Sequence, residues 1–264
     1  MRLTFLGTGT SHGIPVIGCD CAVCHSADPR NQRLRPSVFV ETDGLNLLID
    51  ATPDFRQQAL RSGIRRVDAV LVTHSHADHV LGLDDLRVFT GKDGRKMPLY
   101  GSPSSLADVQ RVFQYACTEK PAWAGLPSFE LHPVEPHTEF QIAGFTCRAL
   151  PLPHGRMTVY GFVLNREVAY LTDCNAVPPE VVEALRGIPL LVLDALRHRP
   201  HPTHLTIDAA LAVVAQIRPK RALFTHLCHE VDHAPVEAPF PPEVRLAYDQ
   251  LRIEVTNGEC RTLA

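Results

Sequence analysis

Four short apolar segments of this chain each run into a side chain that can bind a metal ion. Residues 67–72 lead to His74, 148–153 to His154, 168–172 to Asp173 and 221–225 to His226. Such continuous apolar runs are typical of strands that are buried on both faces. Open α/β sheets place their ligands beyond the carboxyl ends of the strands, so these four ends are expected to converge on one site.

The first of these ends is the richest in possible ligands. Residues 73–79 read Thr-His-Ser-His-Ala-Asp-His, which places three histidines and an aspartate within six residues. His74 and His76 are two residues apart and cannot share a helical face, but they can converge from a tight loop while Asp78 and His79 turn toward a second point. A solvated polar loop is the alternative, although ligand-type side chains rarely crowd like this against a buried-type strand. Because imidazole and carboxylate together suit zinc, manganese or iron, the layout predicts two metal ions close together.

The ligand-type residues at the four ends divide into two groups with a carboxylate between them. One group is His74, His76 and His154, the second is Asp78, His79 and His226, and Asp173 is placed to bridge two ions. Two ions would leave positions open for a water molecule, whose pKa falls toward neutrality on a divalent metal. Taken singly, His154 and His226 are equally compatible with core or loop positions. Their shared position at strand ends is what favours the interpretation as ligands.

The order of elements along the chain indicates the fold class. The chain has 264 residues, 45% of them hydrophobic, which suffices for one large domain with its own core. Turn residues at Asp43-Gly44, Ala143-Gly144 and Asn165-Arg166-Glu167 predict hairpins, and residues 119–127 around Trp123 are expected to be irregular. Helices are predicted over 54–61, 83–89, 105–117, 179–185 and 207–217, the last with Thr206 as its cap. The tail over 244–262 is expected to form a helical turn and a closing strand. Strands followed by helices, twice over, favour an α/β fold: a four-layer αββα sandwich in a single domain, residues 1–264.

Composition argues against several classes of function. The formal net charge is −3, so no strongly basic surface is expected for a nucleic-acid backbone. The N-terminal ten residues lack the layout of a signal peptide, and no stretch approaches the roughly 18 apolar residues of a membrane span. A cytoplasmic protein is therefore expected, in which the eight cysteines are thiols or metal ligands rather than disulfides.

Three of the cysteines form a cluster of their own. Cys19, Cys21 and Cys24 lie within six residues and offer three thiolates from one small loop. A structural zinc ion takes four tetrahedral ligands, so the fourth must come from elsewhere in the chain. His229 is the preferred candidate, because it lies three residues after His226, and Cys228 and His25 are its rivals. Free thiols or a redox pair are the alternatives to a zinc knuckle inserted at about residues 18–30.

The motif at residues 74–79, with His154, Asp173 and His226, resembles the metallo-β-lactamase superfamily. The resemblance spans nearly the whole chain, from Phe5-Leu6-Gly7-Thr8-Gly9 to Phe224-Thr225-His226. It implies the αββα sandwich and the two ligand groups given above. An aspartate rather than a cysteine at position 173 is similar to the phosphodiesterase and other non-lactamase branches, so β-lactamase activity is not expected.

The cysteine segment looks like that of the PhnP family of phosphoribosyl cyclic phosphodiesterases. Residues 18–24, Gly-Cys-Asp-Cys-Ala-Val-Cys, and His226-Leu-Cys-His229 carry this resemblance. It implies hydrolysis of a small cyclic phosphodiester, either 5-phosphoribosyl 1,2-cyclic phosphate or a 2′,3′-cyclic nucleotide, by a hydroxide that two manganese or zinc ions activate. A third, structural zinc ion and a homodimer are implied as well.

The resemblance to this family implies catalytic roles for two residues. Members of that family carry a further histidine upstream of the helix before the last ligand strand, and His204 occupies that place. Since imidazole titrates near working pH, His204 is expected to be the general acid for the leaving group. A surface position within the polar stretch 198–204 is the alternative. Asp78 is expected to steer the nucleophile as well as to bind metal.

Three other functions are alternatives to this one. A tRNA 3′-processing endonuclease shares the Leu6-Gly7-Thr8-Gly9 start and the Asp78-His79 and Gly82-Leu83 pairs, but the chain has no basic Gly/Pro-rich arm for tRNA between His154 and Asp173. A relative that acts in pyrroloquinoline quinone biosynthesis, PqqB, also has a cysteine-rich N-terminal loop. A metal-binding protein without turnover is the third. The complete ligand set argues against a degenerate site, so the expected partner is a small molecule, not tRNA or a membrane.

Overall fold

Fifteen strands form two sheets in the computed structural model, which describes residues 1–42, 44–90, 95–118 and 125–263. In chain order the strands are β1 (Arg2–Gly7), β2 (Ser37–Thr42), β3 (Leu45–Ile49), β4 (Ala69–Val72), β5 (Met97–Gly101), β6 (Phe129–Pro133), β7 (Glu139–Ile142), β8 (Phe145–His154), β9 (Met157–Leu164), β10 (Val168–Leu171), β11 (Leu190–Asp194), β12 (Arg221–Thr225), β13 (Val244–Leu246), β14 (Arg252–Thr256) and β15 (Glu259–Leu263). The α-helices are α1 (Phe55–Ser62), α2 (Ala77–Val80), α3 (Pro103–Val112), α4 (Pro179–Ala184), α5 (Ile207–Ile217) and α6 (His233–Glu237).

Both sheets are mixed. The first has eight strands in the order β15-β14-β1-β2-β3-β4-β5-β6, antiparallel from β15 to β3 and parallel from β3 to β6. The second has seven strands in the order β13-β12-β11-β10-β9-β8-β7, parallel from β13 to β10 and antiparallel from β10 to β7. The strands β8, β10 and β12 therefore run in the same direction, and their carboxyl ends lie at the same edge of the second sheet.

Side chains that alternate along the strands build three apolar layers. Phe5 and Leu223 pack in the core between the two sheets. Their neighbours point the other way: Leu6 packs with Phe55 of α1 in one outer layer, and Phe224 packs with helix α5 in the other. Because successive residues of a strand face opposite sides of the sheet, each sheet buries one face against its partner and one face under helices. The predicted α/β sandwich with four layers is confirmed.

Helix α5 shows how local sequence sets an element boundary. The Thr206 side chain accepts the backbone N–H of Ala209 and caps the helix, as the sequence predicts. The helix ends where Arg218 adopts a left-handed conformation ahead of Pro219, which cannot continue it. Its apolar stripe is buried on the second sheet and comprises Ile207, Ala210, Val213, Val214 and Ile217. This spacing of three and four residues is that of an amphipathic helix.

Several predicted boundaries differ from the structure. The predicted helix over 83–89 is a 3-10 helix (Leu83–Phe89), and the one over 105–117 begins at Pro103, because Ser102 caps it by accepting the N–H of Ser105. The tail over 244–262, predicted as a helical turn and one strand, forms β13, β14 and β15 instead. Its last two strands turn at Asn257-Gly258, both with positive φ, which is a standard hairpin signal.

Two sequence predictions fall partly outside the described residues. The turn residue Asp43 and residues 119–124, with Trp123, belong to the ranges that are not described. Within the described ranges, no helix combines the length and the apolar character that crossing a membrane requires.

Gly82 fixes the segment that follows the histidine-rich motif against the end of β3. Its N–H donates to the carbonyl of Ala51 at 2.9 Å, and a Cβ added here would lie 1.9 Å from the carbonyl oxygen of Thr52. We expect Gly82→Ala to lower the free energy of unfolding in urea by about 2–3 kcal/mol, because backbone must move to accommodate the methyl group. Gly63→Ala is the matched control: its φ is +68° with open space around it, so it should cost only about 1 kcal/mol. Equal losses for the two variants would contradict this role of Gly82.

Candidate active site

The ends of β4, β8, β10 and β12 meet at one end of the sandwich. Strand β4 belongs to the first sheet, and its neighbour Thr73 accepts the backbone N–H of Tyr160 from β9 at 2.9 Å, which joins the two sheets there. His154 is the last residue of β8, Asp173 lies two residues beyond β10, and His226 directly follows β12. The structure thus brings together the side chains that the strand-end pattern singles out.

Three residues at this rim have left-handed backbone conformations. Asp50, Asp173 and His226 have φ values of 60°, 54° and 60°, respectively. Residues other than glycine avoid this region, at a cost of order 1–3 kcal/mol each, and such residues cluster at functional sites. The unusual conformation turns each side chain sharply at the end of its strand, toward the common centre.

The first group consists of His74, His76 and His154. Each ring offers one nitrogen, and these three nitrogens lie within 4.8 Å of one another. The Nε2 of His74 is 2.9 Å from the Nδ1 of His76. The Nδ1 of His154 donates to the carbonyl of Thr203 at 2.9 Å, which leaves its Nε2 free for a ligand. His74 and His154 are buried and His76 is exposed, so this group lies at the mouth of the site.

The second group consists of Asp78, His79, Asp173 and His226. The Nε2 of His79 is 3.3 Å from a carboxylate oxygen of Asp78 and 3.3 Å from one of Asp173, and the Nε2 of His226 is 3.2 Å from the other oxygen of Asp173. An oxygen of Asp173 also lies within 4.8 Å of a ring nitrogen of His154. Asp173 therefore stands between the two groups, where a bridging carboxylate would be expected.

The donor atoms of the second group fit a metal ion. The Nε2 atoms of His79 and His226 are buried and have no hydrogen-bond partner among the residues that the structure describes. Buried polar atoms are normally paired, because leaving one unpaired costs about 1–3 kcal/mol. Imidazole nitrogens and carboxylate oxygens that converge in this way form the ligand set of a divalent zinc- or manganese-like ion. The two clusters are thus compatible with metal binding.

Electrostatics hold two of these side chains, His74 and Asp173, in the forms that bind metal. Burial lowers the pKa of His74 well below its ordinary value, so this imidazole is neutral at neutral pH. Burial alone would raise the pKa of Asp173, but the neighbouring His226 and His79 outweigh it and hold this pKa well below its usual range. Burial likewise opposes the charge on His79, yet Asp173 and Asp50 raise its pKa well above the ordinary value. A cation in this site would replace the proton that His79 otherwise retains.

Asp50 is a site residue that the sequence reasoning missed. Its carboxylate is fully buried and accepts the ring N–H of His79 at 2.7 Å, the hydroxyl of Thr73 at 2.7 Å and the backbone N–H of Thr73 at 2.9 Å. These bonds fix the tautomer of His79 and turn its Nε2 toward the site. The sequence signal was present, because Asp50 directly follows the apolar strand β3.

Asp194 was missed in the same way at the end of β11. Its carboxylate is buried, accepts the ring Nδ1–H of His204 at 2.8 Å and accepts the backbone N–H of Cys174 at 3.0 Å. The ring of His204 stacks on that of His226 with centroids 4.6 Å apart, and lies 5.0 Å from that of His154. His204 is therefore at the centre of the site, not on the surface.

The cysteine cluster meets His229 away from this centre. The Nδ1 of His229 lies 3.1, 3.6 and 3.8 Å from the sulfur atoms of Cys19, Cys21 and Cys24, respectively. The rivals for the fourth position face elsewhere: His25 contacts Asp20, and the sulfur of Cys228 accepts the N–H of Glu230. The backbone N–H of Cys24 lowers the pKa of Cys21 to about 6, which favours its thiolate. Three sulfurs and one imidazole nitrogen fit the donor set of a structural zinc ion.

A buried arginine holds the loop that carries His229. The guanidinium of Arg33 is 1% exposed and donates to the carbonyls of Val231 and Cys228 at 3.0 and 3.4 Å. The same loop follows His226 directly, and Leu227 donates its N–H to the carbonyl of Thr8 at 2.9 Å. The cysteine cluster, the N-terminal loop and the second ligand group are thereby tied to one short segment.

Comparison with known proteins places the chain in a family. The family described as "Beta-lactamase superfamily domain" matches residues 45–227. The crystal structure of a diphosphatase from the PhnP family is 43% identical, with a TM-score of 0.89 over 97% of this chain and 98% of its own. An octanoyltransferase of Porphyromonas gingivalis is 40% identical over 257 residues, which is 95% of this chain but 51% of that protein, so the chain spans about half its length.

More distant structures share the fold. Zn²⁺-bound PqqB from Methylobacterium extorquens and the short form of human tRNase Z are 23% and 21% identical, with TM-scores of 0.78 and 0.71. Each comparison covers 97% of this chain and 100% of the other. The chain belongs to the metallo-β-lactamase superfamily, in the branch that holds the PhnP family.

Proposed function

We propose that this chain hydrolyses a small phosphodiester, with a cyclic phosphodiester such as 5-phosphoribosyl 1,2-cyclic phosphate or a 2′,3′-cyclic nucleotide as its substrate. The observation that carries the proposal is the pair of Asp194 and His204 beside the two ligand groups. Metal ligands alone suit many hydrolytic reactions. A histidine held by a buried carboxylate at the same rim adds a positioned proton donor, which the expulsion of an alkoxide requires.

The number and kind of metal ions that we propose follow from the groups of donor atoms. One divalent ion, manganese or zinc, would be held by His74, His76 and His154, the second by Asp78, His79 and His226, with Asp173 between them. When bound, two such ions neutralise charge on the phosphoryl oxygens and lower the pKa of water. A separate structural zinc would be held by Cys19, Cys21, Cys24 and His229.

The protein's own groups then manage the protons. The Nδ1–H of His204 donates to Asp194, so the opposite ring nitrogen, Nε2, points away from that carboxylate. In the doubly protonated form of the ring, Nε2 carries the proton that passes to the leaving oxygen and leaves neutral His204 with its Nδ1–H on Asp194. The side chain of His204 is 10% exposed, which shields this transfer from bulk water. Asp78 is 12% exposed and keeps one side open toward the site, where its carboxylate can orient the attacking nucleophile.

A diphosphate is the second candidate substrate. It is favoured by the PhnP-family relative at 43% identity, which is named a diphosphatase. A phosphoanhydride offers the same non-bridging oxygens as a phosphodiester, but its leaving group is a phosphate that needs less help from an acid. A tRNA substrate is not favoured, because β9 and β10 form a tight hairpin between His154 and Asp173 with no inserted arm.

The cellular compartment and the oligomeric state are also part of the proposal. None of the eight cysteines, all of which lie in the described ranges, forms a disulfide, which supports a reducing compartment such as the cytoplasm. The family resemblance supports a homodimer acting on a small molecule.

A panel of substrates tests the proposed reaction. Protein of known metal content is assayed with bis(p-nitrophenyl) phosphate, 2′,3′-cyclic AMP, 5-phosphoribosyl 1,2-cyclic phosphate and inorganic diphosphate. Faster turnover of the cyclic esters supports the proposal, and faster turnover of diphosphate supports the second candidate. A metal-loaded protein that hydrolyses none of them would contradict both.

The role of His204 predicts a dependence on the leaving group. In His204→Ala, kcat for 2′,3′-cyclic AMP, which expels an alkoxide, should fall by about 100- to 1000-fold, because general acid catalysis is lost. The loss for bis(p-nitrophenyl) phosphate should be much smaller, since nitrophenolate leaves without a proton. His198→Ala is the control, because its side chain is 56% exposed and contacts Asp208 on the surface. Equal losses on both substrates would rule out the acid role.

The structural zinc predicts a separate change in metal content. Cys21→Ser should lower the zinc bound per chain by one equivalent, measured by mass spectrometry of the acid-digested protein. His76→Ala should leave that equivalent in place, because His76 belongs to the other site. A zinc content that Cys21→Ser does not change would remove the knuckle from the proposal.

A further inference from the structure

We propose that His201 binds the leaving-group portion of the substrate, through a hydrogen bond from its ring N–H to a sugar oxygen. This inference rests on the proposed function, because it takes the leaving group to lie against His204. His201 lies in a segment, residues 198–205, that we call the acid loop because it also carries His204. Neither the strand-end pattern nor the ligand groups include it.

Backbone hydrogen bonds join the two ends of the acid loop, and His201 lies at the edge of the candidate site. The N–H of Leu196 donates to the carbonyl of Leu205 at 3.0 Å, and the N–H of Ile207 donates to the carbonyl of Arg197 at 2.9 Å. The ring of His201 lies 5.1 Å from that of His204 and is half-buried. It continues the row of imidazoles that runs outward from His154 through His204.

Thr203 sets the orientation of His201. The backbone N–H of Thr203 lies 3.4 Å from the Nδ1 of His201, and its hydroxyl lies 3.2 Å from the same atom. An Nδ1 that accepts a backbone N–H leaves the ring proton on Nε2. His201 therefore presents a hydrogen-bond donor on the side of the ring that faces away from Thr203.

The same threonine ties His201 to the first ligand group. The carbonyl of Thr203 accepts the Nδ1–H of His154 at 2.9 Å. Its methyl group fills the space above Gly155, where a Cβ would lie 2.8 Å from it. The position of His201 relative to His154 is thus fixed through one residue, as a substrate-binding group requires.

The charges in the acid loop and directly before it indicate what His201 would bind. Arg197 and Arg199 both donate to the same carboxylate oxygen of Glu230 at 2.7 Å, so both guanidinium groups are engaged in ion pairs. His201 then offers a directional donor beside the acid. A ribose hydroxyl or ring oxygen, a few bonds from the cleaved P–O bond, can accept a hydrogen bond from this donor. A nitrophenyl leaving group has no acceptor at that position.

Binding and kinetics of metal-loaded variants test this assignment. His201→Ala should weaken the binding of adenosine 3′-monophosphate, measured by calorimetry, by about 5- to 15-fold relative to its effect on inorganic phosphate, the size expected for one hydrogen bond. The rise in KM for 2′,3′-cyclic AMP should match, and should exceed the rise for bis(p-nitrophenyl) phosphate by the same factor. His201→Gln, which keeps an N–H donor, should recover part of the loss, and His198→Ala should behave as the wild type.

Each outcome bears on one of the two claims. If His201→Ala binds both the nucleotide and inorganic phosphate as tightly as the wild type, the assignment of His201 is wrong. If the wild-type protein hydrolyses no phosphodiester but loses selective nucleotide binding in His201→Ala, the proposed reaction fails and the binding role stands. Equal binding losses for the nucleotide and for phosphate would show a disturbed site and would also overturn the assignment.

Discussion

Replacing Asp173 by asparagine should lower kcat for bis(p-nitrophenyl) phosphate by about 1000-fold, which corresponds to ~4 kcal/mol of lost transition-state stabilisation. The two oxygens of Asp173 lie 3.3 Å from the Nε2 of His79 and 3.2 Å from the Nε2 of His226. Asparagine has nearly the same size but lacks the charge that balances a dinuclear cation. The measurements are steady-state kinetics and metal content per chain, both on the purified variant.

The same substitution at an exposed position is the control for the loss of one negative charge outside the site. Asp208 lies on α5 with 76% of its side chain exposed, so Asp208→Asn should keep full activity and metal content. The unfolding temperature of metal-free Asp173→Asn shows whether the variant is folded. A folded Asp173→Asn that retains both metals and wild-type turnover would contradict the bridging role.

Removing Asp50 should damage stability and metal binding together. In Asp50→Ala the hydroxyl and N–H of Thr73 and the ring N–H of His79 lose their common acceptor. Buried donors left unpaired cost about 1–3 kcal/mol each, so we expect the free energy of unfolding to fall by roughly 3–5 kcal/mol. Metal affinity should fall by about 10- to 100-fold, because His79 is no longer oriented.

A conservative variant separates the two effects of Asp50. Asparagine tolerates the left-handed conformation of residue 50 and keeps one acceptor oxygen. Asp50→Asn should therefore recover most of the stability, measured by urea unfolding of the metal-free protein, but not the metal affinity. If Asp50→Ala binds metal as tightly as the wild type, this residue does not position His79.

The fold was predictable because its signals are local. Apolar runs that end in ligand-type residues mark the strands and their carboxyl ends, and helix caps such as Thr206 mark boundaries. The short strands β5 and β6 were missed because both contain proline, which is depleted in strands. The Asn257-Gly258 turn was a readable signal that the sequence reasoning overlooked.

The candidate site was predictable only in part. Asp50 follows an apolar strand as Asp173 does, and Asp194 ends one, but an isolated aspartate carries no ligand spacing that sets it apart. Their partners, His79 and His204, are distant in the sequence, so only the folded chain reveals the pairs. The choice of His229 over Cys228 and His25 likewise depends on which side chain the loop after β12 turns toward the cysteines.

The most direct measurement is a metal titration of hydrolysis. Protein stripped by a chelator is reconstituted with stepwise equivalents of Mn²⁺, and the hydrolysis of bis(p-nitrophenyl) phosphate is recorded at each step. We expect no turnover without metal, then a rise that saturates when the His74–His76–His154 and Asp78–His79–His226 groups each hold one ion. Full turnover by the stripped protein, or none after saturation with manganese and with zinc, would contradict a dinuclear phosphodiesterase.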